Sequence, residues 1–187
     1  MSKWPFVVFA CSICVLAWKA AEEPARPSVP APAIVQEQPI TIPVVGIHRQ
    51  QLVDTFTAAR TGHRHDALDI MAQRGTPVIA AVDGTVRKLF TSRAGGLTIY
   101  EFDDAGSICY YYAHLDRYAG GVREGLRVRR GDLIGYVGST GNAPKNAPHL
   151  HFAMMILPPT KEWWKGDAVN PYPILMARGI TSEASGR

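Results

Sequence analysis

Cysteine is scarce in this chain of 187 residues: three occur, and two of them, Cys11 and Cys14, lie in an apolar N-terminal segment. Cys109 is left alone in the body, which excludes an internal disulfide framework and a thiolate metal site. Long runs of one charge are missing as well. The net charge of +4 suits an anionic partner or surface, but no Lys/Arg-rich helix and no aromatic-interleaved basic motif is present, which argues against nucleic acid. Helical periodicity is thin and confined to Gln50–Phe56, where a short helix is predicted.

What remains is 47% hydrophobic and 19% charged, the balance of one globular domain. Lys3 precedes an apolar stretch from Trp4 to Trp18, closed by Lys19 and then Glu22-Glu23. Residues 1–21 are therefore expected to be a signal peptide or a membrane anchor that directs export. Cleavage after Ala20 or Ala21 would put Trp18 or Lys19 where a small residue belongs, which favours the uncleaved anchor. A lipoprotein site at "VFAC" is disfavoured by bulky Phe9 and by the short apolar core before Cys11. Residues 22–43 carry six prolines and are expected to form a semi-rigid, extended linker. The folded body is expected over 44–176, with a flexible tail over 177–187.

Inside the body the punctuation is that of β-hairpins. "TPVIAAV" and "TVRKLF" flank Asp83-Gly84, a strong turn signal, and predict a hairpin. Gly95-Gly96 turns the chain into "LTIYEF", which "DDAG" separates from "SICYYYAHL". "LRVRRGDLIGYVG" supplies two short strands, and "HLHFAMMI" a last one after the loop "STGNAPKNAP". Many short strands with Gly turns predict a mostly β fold, an antiparallel β-sandwich or partly open barrel.

Polar, metal-affine side chains gather in three places. On a strand, residues two apart share a face and lie about 6.5–7 Å apart. His149 and His151 therefore point the same way, and Leu150 the other. The same parity predicts Tyr110, Tyr112 and His114 on one face. In "HDALD", His65 and Asp69 are four apart, a spacing that converges in extended or helical geometry. Two imidazoles and a carboxylate suit Zn²⁺, and three protein ligands leave a position open for catalytic water. Each piece has a plainer reading on its own: H-x-H as a polar sheet face, His114 as a hydrogen-bonded surface histidine, His65 and Asp69 as loop residues. Five such residues on three strand-like segments are harder to ascribe to accident.

Taken together, "HDALD", "YAHL" and "HLHF" resemble the three motifs of the lysostaphin/LytM-type zinc metallopeptidases, which cut peptide cross-links in bacterial cell walls. The resemblance runs from about Val44 to Leu175, with "GTPVIAAVDGTV" and "RRGDLIGYVGSTGN" following the intervening blocks. It implies a LytM-type (duplicated hybrid motif) fold and one Zn²⁺ held by His65, Asp69 and His151. It also implies that His114 and His149 are catalytic without being ligands; Asn142 matches a position that lines the family's substrate groove and is equally readable as a turn residue. Two departures stand out. Ala67 replaces the glycine common in the first motif, which is tolerable if φ stays negative. Ala153 takes the place of a glutamate often found after H-L-H-F. His63 and Asp66 are read as surface residues, and Trp163-Trp164 as either a groove wall or sheet-edge packing.

The implied function is a zinc endopeptidase of peptidoglycan in the envelope, anchored to the inner membrane or secreted. D-alanyl–diaminopimelate cross-links are the favoured substrate and glycyl-glycine the alternative. The competing class is a non-catalytic wall-binding module or activator of other wall hydrolases. A biotinyl- or lipoyl-type carrier, suggested by "VRRGDLIGYVG", fails because its hairpin tips lack a lysine beside methionine.

Overall fold

The computed structural model describes residues 40–60 and 63–177. The apolar segment, the linker up to Pro39 and the tail from Arg178 lie outside the described residues, as does any anchor placed there. Among the described residues no helix is long and apolar enough to cross a membrane. The chain is already packed on the core at Ile40 and Ile42, and the Thr41 amide donates to Ala81 O.

Eleven strands follow one another among the described residues: β1 (Ala59–Arg60), β2 (His63–Arg64), β3 (Leu68–Met71), β4 (Pro77–Ile79), β5 (Gly84–Ser92), β6 (Gly96–Asp103), β7 (Ile108–Tyr118), β8 (Arg127–Val128), β9 (Leu133–Val137), β10 (His149–Ile156) and β11 (Asp167–Val169). β1 and β2 form a small ribbon. The other nine build one antiparallel sheet in the order β11-β10-β7-β6-β5-β8, with β3 also on β10 and β9 linking β4 to β7. The sheet is open rather than a closed barrel, since among the described residues β11 pairs only with β10 and β8 only with β5.

Alternation along the strands sends one set of apolar side chains into the main core. Leu68 and Ile70 of β3, Ile99 of β6, Tyr110 and Tyr112 of β7, and Leu150, Phe152 and Met154 of β10 are all 2% exposed or less. Burying each such side chain contributes about 1.5–3 kcal/mol. The opposite face of β3, β7 and β10 is left for other work.

The strands predicted from "LTIYEF", "SICYYYAHL" and "HLHFAMMI" are present as β6, β7 and β10, and β6 and β7 form the expected hairpin. The predicted hairpin at Asp83-Gly84 is not. β4 pairs with β9, while β5 pairs with β6 and β8. The Asp83 carboxylate accepts the Arg130 amide at 2.7 Å, and the Ala80 amide donates to Asp132 O at 2.8 Å. The bend is thus held by another loop, and its two flanks diverge into different partners.

The helix predicted over Gln50–Phe56 is reduced to a 3-10 turn at Arg49–Gln51. Asp54 and Thr55 compete with helical bonding: Asp54 Oδ1 takes the Phe56 amide, and Thr55 Oγ1 donates to Ala67 O. The helix that does form, α1 (Pro171–Met176), carries the ordinary start signal: Asn170 accepts the Tyr172 amide as N-cap, and Pro171 follows.

Candidate active site

The three motifs meet on the face of the sheet away from the main core. β3 and β10 run antiparallel with Asp69 opposite His151, and on the far side of β10 His151 is opposite Ala113 of β7. His65 enters from the turn between β2 and β3. That turn needs a left-handed residue, and it is Asp66, at φ +52°; Ala67 is buried and keeps a φ outside that region, so its methyl group is accommodated.

His65 Nε2, Asp69 Oδ1 and His151 Nδ1 form a triangle with edges of 3.0, 3.0 and 3.2 Å. These atoms could hold a metal ion. The chemistry of the donor set can be tested directly. His65 Nδ1 lies 2.9 Å from Thr55 O, a carbonyl that can only accept, so Nδ1 carries the proton and Nε2 offers a lone pair. The crowded atoms are then a lone pair, a carboxylate oxygen and an imidazole nitrogen, an arrangement a dication relieves. A tetrahedral zinc with bonds of about 2.0–2.1 Å spaces its ligands about 3.3 Å apart, close to the edges observed. The residues fit the metal.

Burial by itself would raise the Asp69 carboxyl, but the His151 hydrogen bond and the surrounding imidazoles outweigh it and hold it at about 2. The carboxylate is charged at any physiological pH.

His149 and His114 complete the cluster. His149 Nε2 is 3.7 Å from Asp69 Oδ1, and its Nδ1 donates to Ala147 O at 2.8 Å. The His114 ring lies 4.9 Å from that of His149 and 5.6 Å from that of His151, with Nδ1 donating to Thr140 O at 2.9 Å. Burial lowers the His114 pKa to about 4 despite the Thr140 carbonyl, so the ring is neutral at pH 7.

His114 does not share a face with Tyr110 and Tyr112, contrary to the alternation rule. Tyr110 and Tyr112 point into the core against Phe152, whereas Tyr111 faces the site, its ring 5.9 Å from His151. The cause is the His114 backbone, at φ +61°, where its amide leaves the ladder to donate to Gly95 O. The register of β7 against β6 shifts across this bulge, between Tyr112 and Leu115, turning His114 onto the site face; a separate shift against β9 follows between Leu115 and Arg117. Such non-glycine strain concentrates at functional sites.

Two glycines let the loops close on this bulge. A Cβ on Gly138 would stand 2.4 Å from the Asp116 amide nitrogen and 2.8 Å from His114 O. Gly141 has φ +70°, and a Cβ there would meet Ala94 O at 2.3 Å. Next to it, Asn142 is exposed and its amide donates to Ala94 O at 3.0 Å, a turn contact. Asp66 pairs with Arg64 at 3.8 Å, away from the triangle. Trp163 packs against Tyr100 at 4.7 Å and Phe90 at 5.4 Å, while Trp164 is 56% exposed beside it. The loop at Asp54–Phe56, hidden from the sequence reading by the predicted helix, lies directly against His65 and Asp69.

Known proteins resemble this chain in sequence and in fold. The chain is 36% identical over 118 residues to an L-Ala–D-Glu endopeptidase of Bacillus subtilis, covering 60% of this chain and 35% of that one. It is 34% identical over 125 residues to a glycyl-glycine endopeptidase of Staphylococcus capitis, covering 66% and 32%. It thus spans about a third of the length of these curated relatives. Among solved structures, the catalytic domain of the antimicrobial peptidase lysostaphin from Staphylococcus simulans matches at a TM-score of 0.55 and 27% identity, over 77% of this chain and 96% of that one. The model of peptidase family M23 matches residues 63–171, more than half of the chain and the whole stretch from the first motif through the third. The chain belongs to peptidase family M23.

Proposed function

We propose that the protein is a zinc-dependent endopeptidase that hydrolyses peptide cross-links of bacterial peptidoglycan. The triangle of His65 Nε2, Asp69 Oδ1 and His151 Nδ1, with edges of 3.0–3.2 Å, carries this reading. These three residues would hold the zinc. Bound there, zinc would supply Lewis acidity, polarising the scissile carbonyl and acidifying a water.

The chain's own groups handle the protons. His149 and His114 each donate Nδ1–H to a carbonyl, so each neutral ring keeps its lone pair on Nε2. His149 Nε2 accepts the proton of the attacking water, and the Ala147 carbonyl steadies the imidazolium that results. As the C–O bond forms and the C–N bond breaks, that proton passes to the leaving amine. His114 becomes a donor towards the developing oxyanion only once it has taken up a proton, because burial keeps it neutral beforehand. Exposed Asn142 is assigned to the substrate side of the loop Ser139–Pro148.

The catalytic body in this account begins at Ile40, four residues before the expected start at 44, and runs to 176, carried by the proline-rich linker from an export segment at residues 1–21. The protein acts in the periplasm, tethered or released. The two relatives are named for different bonds, L-Ala–D-Glu and glycyl-glycine; the cross-link assigned to this chain is the D-alanyl–diaminopimelate bond. Solubilisation of dye-labelled peptidoglycan tests the reading: the unmodified protein releases dye and His151→Ala does not. A wall-binding or activating module would release none in either form.

A further inference from the structure

We propose that Thr55, which belongs to none of the three motifs, is the positioning residue that aims both His65 and Asp69 at the metal. The proposal rests on these two residues being ligands. Its carbonyl accepts His65 Nδ1–H at 2.9 Å, and its Oγ1 accepts the Asp69 amide at 2.9 Å while donating to Ala67 O at 3.3 Å. One residue thereby fixes the tautomer and ring direction of the first ligand and the backbone of the second.

The hydroxyl sits where a further strand would be. Among the described residues β3 pairs with β10 alone, and the Ala67 carbonyl and Asp69 amide are met by Thr55 as a neighbouring strand would meet them. Only a group that donates and accepts at one atom can do this, which a hydroxyl does and a methyl group does not. Branching at Cβ restricts the rotamer and keeps the oxygen in place.

The loop carrying Thr55 is itself tied down on both sides. Asp54 Oδ1 accepts the Phe56 amide at 3.0 Å, and Asp54 Oδ2 accepts Asn170 Nδ2 at 3.0 Å. Asn170 caps α1 through the Tyr172 amide. Phe56 O accepts the amide of Asp66, and the Ala58 amide donates to Thr55 O. A line of bonds thus runs from the C-terminal helix through Asp54 and Thr55 to two ligands. Partners that orient metal ligands from outside typically set affinity by about 10–100-fold.

The test measures zinc affinity of the full-length protein against a competing chromophoric chelator, together with the unfolding midpoint of each metal-free form. Thr55→Val keeps the shape and removes the hydroxyl, and is expected to bind zinc about 10–100-fold more weakly. Thr55→Ser keeps the hydroxyl and is expected to stay close to the unmodified protein, with the same Co²⁺ absorption spectrum. Equal zinc affinity in Thr55→Val and the unmodified protein would overturn the proposal and leave the ligand assignment standing, even if the metal-free midpoint fell. Absence of stoichiometric zinc from the unmodified protein would overturn both. Should Thr55→Val not fold, Thr55→Ala is compared with Thr55→Ser in its place. Failure of both hydroxyl-free variants to fold would mark Thr55 as structural and overturn the proposal.

Discussion

Asp69 and His151 are direct register partners across β3 and β10, with Oδ1 and Nδ1 3.2 Å apart. Residues separated by more than eighty positions are thus aligned by the sheet ladder rather than by a loop. A slip of one residue would send one of them to the core face, so burial of Leu68, Ile70, Leu150 and Phe152 fixes the site as firmly as it fixes the fold.

Metal binding follows from this alignment. The protein is expected to hold about one Zn²⁺ per chain, and His65→Ala, Asp69→Ala and His151→Ala should each abolish stoichiometric zinc, because two protein ligands fall short of the three that a catalytic zinc site uses. Metal analysis after exhaustive dialysis checks it. Full occupancy in any of the three variants would refute the ligand set.

His114 and His149 should separate catalysis from binding. Replacing either with alanine is expected to leave zinc content and fold intact and to lower cross-link cleavage by about 10²–10⁴-fold, the usual contribution of a general acid–base group. Cleavage at the unmodified rate by zinc-loaded His149→Ala would remove that residue from the mechanism.

Gly138 tests the support of the bulge. The three atoms nearest a Cβ there are backbone atoms of Asp116 and His114, which cannot swing away. Gly138→Ala is expected to cost about 1–3 kcal/mol in urea denaturation and to lower cleavage through His114. Gly120→Ala, where a Cβ meets nothing within 4 Å, is the control. Similar behaviour of the two variants would contradict the close packing.

Glu101 makes stability depend on pH. Burial pushes its carboxyl up to about 8 in spite of the Tyr112 hydroxyl donating to it. Oε1 finds no hydrogen-bond partner among the described residues. The folded value lies above the ordinary 4.5, so the folded state keeps a proton that the unfolded chain releases. The resulting stability is present below about pH 4.5 and is lost as pH rises through about 8. Between pH 6 and 9 the parent should lose about 2–3 kcal/mol that Glu101→Gln does not lose. Parallel urea profiles for the two proteins would refute the buried proton.

Much of this was legible in the residues themselves. "HLHFAMMI" displays the alternation of a strand buried on one face, and β10 spans those eight residues. The roles of the site residues came from the resemblance of the three motifs, while H-x-H parity by itself placed only His149 and His151 on one face, which β10 keeps. Parity failed in β7, since nothing in "YYYAHL" announces a left-handed histidine and that conformation is imposed by Gly95 and the Thr140 loop. Asp83-Gly84 carries genuine turn chemistry, but local turn preference does not specify which strands its flanks will join. Thr55 was hidden because its role depends on a contact with Asp69 fourteen residues away, which no local pattern encodes.

The most direct measurement is mass spectrometry of purified peptidoglycan digested by the protein, with zinc, with a chelator, and after zinc is restored. The account predicts that cross-linked muropeptides convert to uncross-linked ones with a newly freed amine, that the chelator stops this, and that zinc brings it back. Cross-links left intact by zinc-loaded protein, or cleavage that persists in the chelator, would contradict it.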